Sequence, residues 1–166
     1  MFALKAISHD SIAGALAKAE RYRLLNEPGE AESICRDILD VEPDNQTALI
    51  TLVLALTDQL PENPGVFADA LAAASRAQSP YDRAYYAGIA WERRAKARYR
   101  IHSDAAPSHV YHWTVNALKL FEEAERLRAP GNDDAILRWN ACVRFLADHR
   151  ELTAREEEAA APIVSE

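Results

Sequence analysis

Apolar residues recur along the chain at intervals of three and four, which is the spacing of helices that bury one face. In the first two segments these residues are Ile12, Leu16, Ala19 and Tyr22, followed by Ala31, Ile34, Cys35, Ile38 and Leu39. No segment alternates apolar and polar residues in the way that a half-buried strand does. The pattern therefore predicts an all-α protein.

Proline and small polar residues mark where these helices begin. Proline fits the first helical turn, and a preceding Ser, Asp or Asn side chain can cap the free backbone amides. Asn63-Pro64 and Ser79-Pro80 are two such marks. The pattern predicts seven helices, at residues 11–25, 28–41, 45–60, 64–78, 80–102, 108–129 and 132–149. The connections are short, so consecutive helices should pack as antiparallel hairpins.

A recurring set of small and aromatic residues gives the chain a family resemblance. In residues 12–45 the set is Ala19, Tyr22, Ala31, Cys35, Ile38 and Pro43. These offsets resemble the consensus of the tetratricopeptide repeat (TPR), a helical hairpin that recurs about every 34 residues. Residues 46–79 are similar but weaker, since Leu56 replaces the typical tyrosine. A third unit spans residues 80–130 and contains Ala84, Gly88, Trp91, Ala117, Phe121 and Ala124.

The third unit departs from the family pattern in length. Between Trp91 and Ala117 lie about ten more residues than a standard repeat has, so an elongated third hairpin is predicted. Residues 132–149 are apolar on a broad face and resemble the capping helix that ends TPR arrays. The resemblance implies a short right-handed TPR solenoid, one domain over residues 1–150. Residues 151–166 are expected to form a short helix or a disordered acidic tail.

Composition narrows the range of partners. The chain has 26 acidic and 19 basic residues and a formal net charge of -7, which argues against general affinity for nucleic acid or anionic lipid. It lacks a signal-like N-terminus and a run of about 20 apolar residues, so we expect a cytoplasmic protein with no membrane partner. Cys35 and Cys142 form no CxxC motif. No cofactor is expected.

The resemblance also implies where a partner would bind, because the first helices of successive TPR units line a concave groove. On the helix that starts at Pro80, each residue turns by about 100°. This places Ala84, Gly88, Trp91, Ala95 and His102 on the buried side. The opposite side, here called the aromatic-basic stripe, carries Tyr85, Tyr86, Ile89, Arg93, Lys96 and Arg100. The other first helices contribute Leu16, Glu20, Arg23, Leu24, Thr47, Ile50, Leu54 and Asp58.

Aromatic rings beside guanidinium groups suit an acidic or C-terminal peptide. The predicted function is therefore a protein interaction module, an adaptor or assembly factor, that binds a partner without catalysis. The alternative is a solvated helix face whose arginines pair with neighbouring carboxylates. The Lys and Asn clamp of chaperone-binding TPR domains is not present, because the matching positions hold Leu16, Glu20, Thr51, Asp82 and Tyr86.

The sequence leaves three further possibilities open: a chaperone function, a zinc site and a homodimer. The chain is similar in length, acidity and layout to small acidic TPR chaperones of secreted proteins. His102, His109 and His112 could bind zinc near the tip of the long hairpin, although no carboxylate completes a known ligand spacing. TPR hairpins also associate through exposed apolar faces, so a homodimer is a third alternative. No phosphate loop, GxSxG or HExxH motif indicates an enzyme, and Trp113 and Trp139 are expected in the core.

Overall fold

The computed structural model describes residues 2–101 and 107–152 and is helical over that part of the chain. Its helices are α1 (Ile12–Leu24), α2 (Pro28–Val41), α3 (Gln46–Asp58), α4 (Phe67–Ser75), α5 (Pro80–Ile101), α6 (Pro107–Leu127) and α7 (Asp134–Asp148). Two short 3-10 helices lie at His9–Ser11 and Pro64–Val66. The described residues contain no strand, so the all-α prediction is confirmed for them.

The fourth helix differs most from its prediction of residues 64–78. It opens as a 3-10 turn because the Asn63 side chain accepts a hydrogen bond from the Gly65 amide, at 3.2 Å. It ends at Ser75, after which the amides of Arg76 and Ala77 bond to carbonyls only three residues back. This three-residue spacing tightens the last turn and ends the α-helix early.

Helices α5 and α6 are the longest, with 22 and 21 residues against 13 and 14 in α1 and α2. They also form the most extensive helix contact, while every helix packs against the next one in the chain. Contacts also join α1 to α3, α3 to α5 and α5 to α7. Helix α5 therefore meets α3, α4, α6 and α7, and its side chains face several partners.

The largest apolar cluster is shared by α1, α2, α3, α4 and α5. Cys35, Ile38, Leu49 and Leu56 at its centre are essentially inaccessible to solvent. Smaller clusters join α5 to α6 and α7, where Gly88 lets the two long helices approach closely. A Cβ atom on Gly88 would lie 2.7 Å from the ring of the fully buried Phe121. No helix in the described part of the chain is long and apolar enough to cross a membrane.

The chain beyond α7 is described as far as Leu152. Leu152 is only 5% exposed and packs against Ala95 and Val110. The Tyr99 hydroxyl donates a hydrogen bond to the Glu151 carboxylate at 2.8 Å. These two residues therefore pack on the long hairpin, where the apolar side chain of Leu152 closes its core. Residues 153–166 lie outside the described part of the chain.

Candidate functional site

The aromatic-basic stripe on α5 does not form one exposed face. Ile89, expected to contact a partner, is 2% exposed and packs against Ala117, Phe121 and Cys142. This expectation was wrong because both α6 and α7 pack onto the middle of α5. Leu54 of α3 packs against the edge of the same cluster. Ile89 is therefore a core residue.

The two tyrosines of the stripe lie at the edge of this cluster and are half-buried. Tyr85 stacks on Tyr81 at 5.5 Å between ring centroids and meets Tyr86 edge-on at 5.2 Å. Burial raises the pKa of Tyr86 to about 12, so its hydroxyl stays neutral at physiological pH. Trp139 of α7 packs on the same cluster and is also half-buried. These rings are thus only partly accessible to a partner.

Arg93 joins α5 to the end of α3. Its guanidinium donates to the Leu54 carbonyl at 3.2 Å, the Thr57 hydroxyl at 2.7 Å and the Asp58 carboxylate at 2.5 Å. Arg23 of α1 donates to the other Asp58 oxygen at 2.9 Å. Burial lowers the pKa of Arg93, and Asp58 opposes that shift. A cation at a helix C-terminus is favourable, so these contacts hold three helices together.

A second ion-pair network is centred on Glu92, the residue that precedes Arg93 on α5. Glu92 is 2% exposed and accepts from Lys96 at 2.6 Å and from Arg138 of α7 at 3.4 Å. Burial lowers the pKa of Arg138, but the Glu92 carboxylate opposes this and the net direction is upward. The i,i+4 spacing of Glu92 and Lys96 is visible in the sequence. The contribution of Arg138 is not, because it depends on how α7 packs.

These two networks line an open cavity of about 290 Å³, here called the groove cavity. Its lining residues are Thr57, Asp58, Pro61, Glu92, Arg93, Lys96, Ala97, Arg100 and Arg138. Four of them are cationic and two are carboxylates. Arg100 is exposed and forms no salt bridge within the described residues. The structure thus brings Arg93, Lys96 and Arg100 together as expected neighbours and adds Arg138.

The other predicted groove residues lie elsewhere. Leu16 is half-buried against the largest apolar cluster, whereas Glu20 is exposed on α1. Ile50 is half-buried on α3, and none of these three lines the groove cavity. On the predicted buried side of α5, Ala84 and Ala95 are buried and Trp91 is half-buried. His102 lies outside the described residues.

The histidines near the tip of the long hairpin take part in aromatic packing. His109 stacks on Trp113 with ring centroids 6.0 Å apart, and His112 meets Tyr111 edge-on at 5.7 Å. Within residues 2–101 and 107–152, no three His, Cys, Asp or Glu side chains converge on a point suited to a metal ion. The described residues therefore give no geometric support to a zinc site.

Comparison of the chain with protein-family models, curated proteins and solved structures gave no significant match. Evidence for function consequently comes from the geometry of this chain's own residues. Within the predicted groove, the groove cavity is the place where cations from α5 and α7 outnumber carboxylates.

Proposed function

We propose that this protein is a TPR-like interaction module that binds an acidic segment of another protein at the groove cavity, without transforming it. One observation supports this proposal above the others. A chain with a net charge of -7 concentrates four cations and only two carboxylates around one open cavity. Such a local excess attracts acidic groups against the overall charge of the protein.

The four cations of the cavity differ in whether a carboxylate already neutralises them. Arg93 and Lys96 are neutralised by Asp58 and Glu92 at 2.5 and 2.6 Å. Arg138 is 3.4 Å from Glu92, which already has the closer partner Lys96. Arg100 forms no ion pair within the described residues. Arg100 and Arg138 are therefore the two groups offered to a ligand, and a planar guanidinium binds a carboxylate through two parallel hydrogen bonds.

The helix contacts are consistent with a groove of the TPR type. In such an array the first helix of each unit packs beside the first helix of the next. Contacts of α1 with α3, α3 with α5 and α5 with α7 follow this order, and the repeat offsets in residues 12–45 support it. We propose a short solenoid in which α7 takes the place of a fourth first helix and contributes Arg138.

The proposal is tested by binding of a fluorescein-labelled peptide of alternating Glu and Ala, followed by fluorescence anisotropy at low salt. Arg100→Glu should weaken binding about tenfold, because it replaces an attractive contact with a repulsive one. The matched control is Arg144→Glu, the same charge reversal at an exposed position of α7 outside the groove cavity. It should change the affinity by less than about twofold, since exposed charges at a distance are screened.

Equal losses in the two variants would show that the peptide responds only to net charge, and the proposal would then be wrong. Arg93 is unsuitable for this test, because a carboxylate at that position would face Asp58 and disturb the packing of α3 on α5. Thermal unfolding of both variants checks that neither has lost its fold.

A further inference from the structure

A second cavity lies beside the groove cavity and shares only Pro61 and Ala97 with it. Its volume is about 380 Å³, and we call it the Arg94 cavity. It is lined by Leu60, Pro61, Glu62, Pro64, Ala97, Ile101 and Trp113, together with Arg94, Arg98 and His109. The loop between α3 and α4 forms one wall, and α5 with the start of α6 forms the other.

Aromatic rings hold the side chain of Arg94. Its guanidinium carbon lies 4.1 Å from the ring centroid of Phe67 and 4.1 Å from that of Trp113. Phe67 is buried and is itself fixed by an edge-on contact with Trp91 at 4.7 Å. Stacking on aromatic faces fixes the plane of a guanidinium and costs it no N–H donors.

No acidic side chain neutralises Arg94 within the described residues. Burial is the single influence resolved on its pKa, and burial lowers it. Its neighbour Arg93, by contrast, is paired with Asp58. A half-buried guanidinium with a fixed plane and unused donors is a site prepared for a planar anion.

The rest of the cavity indicates what is attached to that anion. Leu60, Pro64 and Ile101 provide apolar surface, and Ile101 is 46% exposed. Arg98 is one turn from Arg94, and Glu62 is the single carboxylate in the lining. The volume is near the lower end for ligand sites, about 300 Å³, so the occupant is a small group.

We propose that the Arg94 cavity binds a carboxylate joined to a short apolar group, with the carboxylate on Arg94 and the apolar part against Trp113 and Ile101. Two sources share this chemistry: a free short-chain carboxylic acid, and the terminal carboxylate of a polypeptide that ends in an apolar residue. The site is separate from the groove cavity, so it goes beyond the function proposed above.

The test uses hexanoate and acetyl-Gly-Leu as probes, with hexanamide and acetyl-Gly-Leu-amide as their uncharged counterparts. Binding is followed through the indole N–H signals of the three tryptophans by NMR, with Trp113→Phe used for assignment. At least one carboxylate probe should shift the Trp113 signal saturably, while its amide should bind about tenfold more weakly or not at all. The stronger carboxylate identifies the source.

Three variants locate the binding. Arg94→Met keeps an unbranched side chain between the rings but removes the charge, and should weaken carboxylate binding about tenfold. Glu62→Gln leaves the stack of Arg94 intact and should strengthen binding about twofold or more, because it removes the lone competing carboxylate. Arg144→Glu, at an exposed position of α7 that lines neither cavity, should leave carboxylate binding within about twofold.

The proposal would be overturned by equal binding of carboxylates and amides, or by carboxylate binding that survives Arg94→Met in a folded protein. It would also be overturned if inorganic phosphate bound as tightly as hexanoate, since the apolar wall would then have no role. Loss of hexanoate binding alone would leave the acidic-peptide proposal standing, because the two proposals depend on different arginines.

Discussion

Two consecutive arginines on α5 face different cavities and are stabilised in different ways. Arg93 donates to three groups at the end of α3, including Asp58. Arg94 lies between the rings of Phe67 and Trp113 and has no carboxylate partner among the described residues. The first side chain connects elements of the fold, whereas the second keeps its hydrogen-bond donors available.

The difference shows that a basic residue in a cavity is not by itself a ligand contact. A guanidinium whose donors are already used must break existing bonds before it can bind an anion, and this reduces the net gain. Arg94 has no such bonds to break, and its aromatic neighbours limit the entropy that binding would cost. In the groove cavity the same criterion selects Arg100, whereas Arg138 keeps a 3.4 Å contact with Glu92.

The largest effect is expected from the same substitution at the two adjacent positions. Arg93→Met removes hydrogen bonds to a carbonyl, a hydroxyl and a carboxylate, and should lower the free energy of unfolding by about 2–3 kcal/mol. Arg94→Met removes a cation-π contact but retains apolar contact with the rings, and should cost about 1 kcal/mol. Urea unfolding measures both.

Each variant serves as the control of the other, since both replace an arginine of α5 with methionine and change the net charge by the same amount. If Arg94→Met proved as destabilising as Arg93→Met, the separation between a structural and an available arginine would be wrong. The result would then indicate that the aromatic stack itself holds α5 against α4.

The all-helical character and the helical segments could be predicted from the sequence, because helical periodicity and proline marks are local signals. They give seven segments, and Pro28, Pro80 and Pro107 begin helices in the structure. The early end of α4 was missed, since a run of alanines continues through Ala77 and does not show where the hydrogen bonds tighten. The buried Leu152 was missed because a lone apolar residue within a polar stretch gives no periodic signal.

The candidate site was harder to predict than the fold. The angle of 100° per residue placed Arg93, Lys96 and Arg100 on one side of α5, and they do line one cavity. The same angle placed Ile89 among them, because it contains no information on what α6 and α7 cover. The cation-π contacts of Arg94 join residues 67, 94 and 113, which are too far apart in sequence for any local pattern to connect.

A smaller effect is expected from Gly88, which sets the spacing of α5 and α6. Gly88→Ala gains about 1 kcal/mol of helix propensity, but its methyl group overlaps the immobile ring of Phe121. Overpacking costs about 1–3 kcal/mol, so the net loss should be about 1 kcal/mol.

Gly14→Ala is the control, since no atom lies within 4 Å of its Cβ, and it should stabilise the protein by about 0.5–1 kcal/mol. Stabilisation by both substitutions would show that α5 and α6 are less closely packed than the structure indicates.

A pH dependence is expected on the side of α5 that faces α7, near the groove cavity. Cys142 lies there, near Glu92, and burial raises the pKa of its thiol from 9.0 to about 12. The unfolded chain releases this proton first as the pH rises, so the stability from this group is full below pH 9 and falls as the pH approaches 12. Urea unfolding should therefore show a free energy of unfolding that is lower at pH 10 than at pH 7 by about 1 kcal/mol for each buried cysteine, Cys35 being the other.

Cys142→Ala should remove the part of this pH-dependent loss that comes from Cys142, whatever the substitution itself costs at pH 7. Arg94→Met should keep the wild-type difference between the two pH values. An unchanged pH difference in Cys142→Ala would mean that the thiol is not buried near the groove cavity, and that α7 does not cover α5 in solution.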